Sequence, residues 1–548
     1  MPVDVNQIFA RNPHLKKYID GFEQRWGKRP EFVENLSGAL SGEPNYIYPV
    51  GDPIFIHVFK IKGMLKYAVI QPEMSDELKE KYEKLLSIVL KEVPREKFYE
   101  NEMEFDEILQ KLIGKATTKP KDISSVQKYF STKPEREWVE IGGEDLKIVQ
   151  YRIKQEIIEA GVIEPLLRDP YLEDIHSIGY KNIHVIHKVY GMVKTNLKFR
   201  DPMHLDHYLR SMSERMGRPV SDSRPIVDGT LPDGSRINIV YSEDVSKGGP
   251  SFTIRKFAEK PPTMPQLIKW GTFSSQLAAY LWIVLENGMS VFVSGETASG
   301  KTTSLNSLLN FIPYRRKVFT AEDTPEVVVP QPVWQRLITR ETGPEESRVE
   351  LFDLVRAALR SRPDLIIVGE IRGKEGNAAF QAMQTGHACM ATFHASSISK
   401  MIQRFTGDPI NVPPKFMDNL NVAIFQELLY IKGRLARRCT AAEEIVKYSE
   451  AKGGVLTRAM FKWDSAQDKH NFTGMYNSYI LEAKIAEKLG YEDVREIYKD
   501  LDYRSQILDK LVENNIVGYD EVRKIFHRYD QIGFDAFPFN VKREKVEL

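Results

Sequence analysis

The stretch Gly295-Glu296-Thr297-Ala298-Ser299-Gly300-Lys301-Thr302 fits the pattern GxxxxGK[ST], and few runs of eight residues limit a fold as tightly. Its glycines let the backbone curl until several N–H groups point at one phosphate, and a following helix adds the positive end of its dipole. The pattern works only between a strand and a helix. Met289 to Ser294 supplies an apolar strand before it, and Leu305, Leu308 and Leu309 recur at helical spacing between Thr303 and Phe311. The expected cradle is therefore Gly295, Glu296, Thr297, Ala298, Ser299, Gly300, Lys301, Thr302 and Thr303, with Lys301 on the β- and γ-phosphates of ATP and Thr302 on Mg²⁺.

Three later segments place further chemistry at strand ends. Leu365-Ile366-Ile367-Val368-Gly369-Glu370 is an apolar strand closing on a carboxylate, where Glu370 can hold Mg²⁺ through water or deprotonate the attacking water. Thr320-Ala321-Glu322-Asp323-Thr324-Pro325-Glu326 follows the apolar pair Val318-Phe319. Glu322 and Asp323 are favoured for chemistry there, Glu322 also as a metal contact, while Glu326 fits a solvated surface charge equally well. Thr385 to Ala395 combines His387 and His394 with Cys389. Zinc is rejected, because the spacing matches no ligand pair and the chain has only two cysteines. A lone histidine is ordinarily a satisfied core residue. Beside a phosphate loop, His394 reads better as a sensor of the γ-phosphate or its water.

A chain of 548 residues should hold about three or four domains, and 42% hydrophobic content suffices for packed cores. A net charge of +1 shows neither a polyanion-binding surface nor an acidic tail in the totals. Cys389 and Cys439 alone exclude a disulfide scaffold and fit a reducing, cytosolic setting. The longest apolar run, Leu277 to Leu285, is too short to span a bilayer, so any membrane role passes through a partner or a surface contact.

Residues 1–115 read as a mixed N-terminal domain: strands at Tyr46–Tyr48, Ile54–Lys62 and Leu65–Gln71, then a helix from Ser75 with Leu78, Tyr82, Leu85, Leu86, Val89 and Leu90 on one face. Residues 116–143 read as a linker. A second α/β domain, 144–258, opens with the helix Glu144–Ala160 and continues with strands at Ile183–His187, Met192–Leu197 and Arg236–Tyr241 and a helix at Pro202–Met216. Residues 266–440 carry the nucleotide core, expected as a mainly parallel sheet with helices on both faces, and 441–548 a hairpin at Met460–Phe472 followed by helices.

The segments GETASGKTT, AEDTPE, LIIVGEIRG and TGHACMATFHA closely resemble, in order, the Walker A, Asp, Walker B and His boxes of the type II/type IV secretion ATPase superfamily. The resemblance extends upstream through Leu167–Ile175, Leu231–Arg236 and Ser251–Phe257 and covers about residues 145–440. Asn12–Leu15, Phe461–Asp464 and Gly474–Tyr479 look most like the archaeal branch that drives the archaellum.

The resemblance implies a RecA-like core after an α/β domain, a homo-hexameric ring, and ATP and Mg²⁺ bound where arginines of that domain or of a neighbouring subunit complete the site. Arg236, Arg255, Arg336 and Arg340 are the candidate arginines, each alone more often a salt-bridged surface residue. It further implies a cytoplasmic protein at the inner face of the membrane, working with a polytopic platform protein and other cytoplasmic archaellum or pilus motor components. Residues 1–115 would then serve partners and be dispensable for chemistry. Type IV pilus assembly or type II secretion is the alternative within this class. A nucleic-acid translocase is the rival outside it, disfavoured by the balanced charge. A scaffold that only binds nucleotide conflicts with Lys301, Thr302, Glu370 and His394, and no [NT]KxD motif supports a GTPase.

Overall fold

A computed structural model of the chain describes residues 5–34, 36, 43–92, 102–118, 137–257, 260–340, 345–431, 434–539 and 541. The chain divides into two compact units, Met1–Phe257 and Ala258–Leu548.

The first unit holds two sheets. β1 (Glu31–Phe32), β2 (Asn45–Pro49), β3 (Phe55–Ile61) and β4 (Met64–Ile70) lie side by side in chain order, β3 and β4 joined through Lys62 and Gly63, both at positive φ. Six antiparallel strands form the second sheet: β5 (Leu172–Ile178), β6 (Asn182–His187), β7 (Gly191–Lys194), β8 (Ile226–Thr230), β9 (Arg236–Val240) and β10 (Ser251–Arg255), in the order β7-β6-β5-β10-β9-β8.

The two sheets share one core, in which Tyr48, Ile56, Val58 and Tyr67 pack with Ile163, Leu166, Ile175 and Val185. Asp169, fully buried, accepts hydrogen bonds from Tyr48 (2.8 Å) and Tyr67 (2.6 Å), and Asn196 bonds both backbone groups of Val69. The boundary expected near residue 115 therefore falls inside one unit. The stretch read as a linker lies outside the described residues over 119–136. Its flanks join a helical cluster, with Leu85 and Val89 of the helix Asp76–Glu92 packed with Leu109, Ile113, Val149 and Ile153. Ser75 caps that helix at Leu78 N–H (3.2 Å) as expected, but Ile88 faces inward while Leu90 is 51% exposed, one step off the helical repeat.

The second unit is built on nine strands: β11 (Val291–Gly295), β12 (Val318–Glu322), β13 (Trp334–Ile338), β14 (Leu365–Ile371), β15 (Ala388–Phe393), β16 (Val422–Ile431), β17 (Arg434–Ser449), β18 (Gly454–Asp464) and β19 (Lys469–Phe472). Their order is β13-β12-β14-β15-β11-β16-β17-β18-β19, parallel as far as β16 and antiparallel beyond. Both faces are covered, which explains strands apolar at successive positions: Val291 and Val293 belong to one core and Phe292 to the other, as do Ile367 and Ile366.

The apolar run Leu277–Leu285 lies in the helix Ser275–Glu286 and is buried throughout. Among the described residues no helix is long and apolar enough to cross a membrane. Trp282 of that helix stacks on Phe311 and lies beneath the buried Arg504 of the helix Ile497–Glu513, whose guanidinium pairs with Glu286 (2.7 Å) and Asp500 (2.9 Å). Residues 441–548, expected as a separate hairpin and helices, thus complete the sheet and core that carry the phosphate loop.

Candidate active site

β11 ends at Gly295, and the helix Lys301–Leu308 begins directly after Gly300. Gly295 is required by closeness: a Cβ there would lie 2.3 Å from the Gln426 carbonyl oxygen of β16. Gly300 has φ +91°, and Ala298 sits at φ +62°, a left-handed conformation costing an alanine about 1–2 kcal/mol. The loop folds on itself, with Lys301 Nζ and Ser299 Oγ each donating to the Glu296 carbonyl at 2.8 Å. The nine expected cradle residues run without a break from the end of β11 through the first turn of the helix. Ser294 Oγ donates to the carbonyls of Phe393 (3.1 Å) and Ala395 (2.7 Å), fixing the loop strand to the end of β15 that carries His394.

β14 is irregular just before Glu370. Its register against β15 shifts between Val368 and Glu370, skipping Gly369 and resuming with Glu370 opposite Thr392, and Thr392 Oγ1 donates to the Gly369 carbonyl at 2.6 Å. Glu370 Oε1 then stands 2.6 Å from His394 Nε2, while Oε2 accepts from Arg372. Burial pushes the Glu370 carboxyl up, but the hydrogen bond and charge of Arg372, with His394 and Lys301, outweigh it and hold the acid below its ordinary range. Burial first, and then the charges of Lys301, Arg372 and Arg404, lower the His394 imidazole despite Glu370, so it is neutral at pH 7. Lys301 acts on both groups, which places the loop lysine, the strand-end carboxylate and the histidine in one electrostatic site.

Glu322 ends β12 and is 1% exposed. Its Oε1 accepts from the N–H groups of Glu326 (2.9 Å) and Val327 (2.7 Å), so one oxygen shapes the turn. Oε2 is buried without a hydrogen bond, its nearest cation being Arg336 Nε at 3.9 Å. Burial dominates over these bonds and pushes Glu322 up to about 7. Gly369 makes room for it, since a Cβ there would lie 3.1 Å from Glu322 Cγ. Asp323 is exposed. No group of three or more His, Cys, Asp or Glu gathers to hold a metal alone among the described residues. A Mg²⁺ shared with phosphate oxygens needs fewer protein ligands, and Thr302 with the orphaned Glu322 oxygen and Glu370 suits such an ion through water.

The arginines divide. Arg336 lies on β13 near Glu322 and over the Trp334 ring (5.0 Å); Arg340 is exposed and donates to the Ser347 carbonyl (2.8 Å). Arg236 and Arg255 belong to the first unit, directly opposite each other on β9 and β10 and both exposed. Two arginines were missed by sequence reasoning. Arg372 grips Glu370, and its position two residues beyond the strand-end carboxylate was a usable signal. Arg437 Nε on β17 donates to the Ala298 carbonyl (3.0 Å), and Gln426 on β16 donates to Ser304 (2.5 Å); nothing in their spacing points to a loop more than a hundred residues earlier.

The family described as Type II/IV secretion system protein matches residues 156–497. A protein of Methanocaldococcus jannaschii, named only as uncharacterised, is 51% identical over 545 residues, 98% of each chain. The type IV secretion system protein VirB11 of Bartonella quintana is 28% identical over 244 residues, 38% of this chain and 68% of that one. Among solved structures, the VirB11 ATPase of Brucella suis is 23% identical (51% of this chain, 92% of that one, TM-score 0.27), and the pilus retraction motor PilT with bound ADP is 19% identical (67% and 94%, TM-score 0.37).

Proposed function

The chain belongs to the family of type II/IV secretion system proteins, and from that premise we propose that it binds ATP with Mg²⁺ at Gly295–Thr303 and hydrolyses it to drive a membrane-bound filament or secretion machine. The observation that carries this reading is the gathering of Lys301, Glu370 and His394 at the ends of β11, β14 and β15. Bound Mg²⁺-ATP supplies the scissile phosphoanhydride and a metal that offsets its charge. Lys301 neutralises phosphate oxygens once it leaves the Glu296 carbonyl. Glu370, ionised and held by Arg372, orients a water and takes its proton, and neutral His394 donates or accepts a hydrogen bond beside it. Glu322 keeps the turn after β12, and its second oxygen would help to hold Mg²⁺ through water.

One or two of Arg236, Arg255, Arg336 and Arg340, from the preceding domain or from a neighbouring subunit of a six-membered ring, complete the site at the γ-phosphate, where an arginine meeting its target only on closure couples hydrolysis to movement. The finer assignment is to an archaellum motor meeting a polytopic platform protein at the inner face of the membrane, over pilus assembly or secretion. It rests on Asn12–Leu15, Phe461–Asp464 and Gly474–Tyr479. Packing accounts for part of that resemblance: Phe461 stacks on Phe472, and a Cβ on Gly474 would meet Met460 Sδ at 2.5 Å.

Phosphate release by the purified chain with Mg²⁺-ATP, and its loss together with nucleotide affinity in Lys301→Ala, tests the chemistry. Turnover unchanged in that variant would remove the loop from it. A mass by light scattering that stays monomeric with nucleotide would remove the ring. The membrane protein that co-purifies with the chain would decide among archaellum, pilus and secretion, and salt-sensitive binding of single-stranded nucleic acid would restore the translocase reading.

A further inference from the structure

β9 begins at Arg236 and β10 ends at Arg255, so both arginines sit at strand ends, where local opening costs least. They face each other directly and both are exposed, and like charges set opposite across a sheet repel. Bonds just past Arg255 hold that end closed. Lys256 N–H donates to the Glu173 carbonyl at 2.9 Å, Lys256 Nζ to the Asp169 carbonyl, and Phe257 N–H to Ser235 Oγ at 3.1 Å. Ser235 is fully buried and precedes Arg236, so the last of these bonds ties the two strand ends to each other. Strand alternation, continued one step, turns Lys256 away from the face that carries Arg255. There it meets Asp169, whose Oδ2 accepts from Tyr48 of β2 and Tyr67 of β4 and whose Oδ1 accepts from the Tyr171 N–H at 2.8 Å. One residue thus takes the N-terminal sheet on its side chain and the end of β10 on its backbone. Burial lowers the Lys256 ammonium to about 8 against the pull of Asp169. Apolar groups would fill this space without that cost, whereas a buried polar network fixes one geometry.

We propose that Lys256 is a positioning residue for Arg255, and that Asp169, held by the N-terminal sheet, is its anchor. The inference rests on the reading that Arg255 is among the arginines that complete the site at the γ-phosphate. Lys256 fixes where the last residue of β10 stands, and with it the reach of a guanidinium that meets its phosphate only on closure. Tyr48 and Tyr67 act on hydrolysis through Asp169, so the N-terminal sheet contributes to turnover without touching nucleotide.

The test is steady-state phosphate release by the full chain with Mg²⁺-ATP, with Arg255→Ala as the reference that lowers kcat. Lys256→Met, which keeps the stem and drops the charge, is expected to lower kcat about tenfold with KM changed by no more than about twofold. Lys256→Arg should restore kcat to within about twofold of wild type. In the Arg255→Ala background Lys256→Met should cost nothing further, because it acts only through that side chain. Tyr67→Phe keeps the ring and removes one hydroxyl from Asp169. It should lower kcat about threefold with KM unchanged, and it decides the matter if Lys256→Met does not fold. Lys188→Met is the control: it frees the adjacent Pro170 carbonyl (2.6 Å) from a cation outside β10, and kcat should stay at the wild-type value. Unchanged kcat in Lys256→Met and Tyr67→Phe overturns the proposal. A loss from Lys256→Met that is the same with or without Arg255, or an equal loss in Lys188→Met, also overturns it and marks a general loss of packing. Wild-type turnover in Arg255→Ala would instead overturn the arginine reading on which this one stands.

Discussion

Glu370, Arg372 and His394 tune one another's charge at the proposed site. Arg372 holds the carboxyl of Glu370 ionised, and a neutral imidazole 2.6 Å away adds no competing proton donor of fixed charge. Glu370→Gln keeps the shape and loses the ability to take a proton. We expect hydrolysis to fall by about a hundredfold or more with ATP affinity changed only a few-fold, read by phosphate release and by nucleotide titration. Near-wild-type turnover would remove Glu370 as the base.

Glu322 makes a separate prediction about pH. Its folded value of about 7 lies above that of an exposed glutamate, so between about pH 4.5 and 7 the folded chain holds a proton that the unfolded chain has released. The group contributes stability at low pH, and that contribution is lost as pH rises through 7, up to about 3 kcal/mol. Arg336 and Glu326 are the charges facing it. Glu322→Gln, which keeps the acceptor for Glu326 and Val327 N–H, should flatten the fall in melting temperature between pH 5 and 7.5. Parallel pH profiles for variant and wild type would contradict the assignment.

At the scale of elements, the loop is held by contacts that leave no room for added atoms. Gly295→Ala would drive a methyl into the Gln426 carbonyl, a backbone atom of the neighbouring strand, so β11 and β16 must part. Loss of nucleotide binding with a lowered melting temperature is the expected outcome. Gly21 and Gly114 are the contrast: both lie inside helices, Pro13–Trp26 and Glu102–Thr117, with no positive φ and nothing within 4 Å of the place an alanine methyl would take. Alanine at either should raise stability by about 0.5–1 kcal/mol through helix propensity alone. Denaturant midpoints would check this, and destabilisation at both would show that these helices are held by something other than their own backbone preference.

At the scale of the whole molecule, the chain divides into two compact units, Met1–Phe257 and Ala258–Leu548. Linker-like composition after residue 115 suggests a separable first domain. Instead Tyr48 and Tyr67 supply hydroxyls to the fully buried Asp169 of the same unit, and removing them would leave that carboxylate buried without its two phenolic donors. A chain beginning near Asp145 is therefore expected to lose cooperative folding of the remainder of Met1–Phe257, seen as aggregation or as a missing transition in calorimetry. A soluble, cooperatively melting truncation would restore the idea of an independent first domain.

What the sequence determined by itself is whatever is written locally. The phosphate loop between β11 and its helix, Glu370 at the end of β14, Glu322 at the end of β12 and His394 just beyond β15 are each legible because strand, turn and reactive residue are neighbours in the chain. Helix and strand periods were legible for the same reason. Tertiary structure alone decided the contacts that link distant segments: Arg437 and Gln426 on the loop, Arg336 beside Glu322, Asp169 between two tyrosines from another sheet, and Arg504 over Trp282. No spacing rule joins residues a hundred positions apart, because their proximity is set by sheet order and by which faces the cores bury.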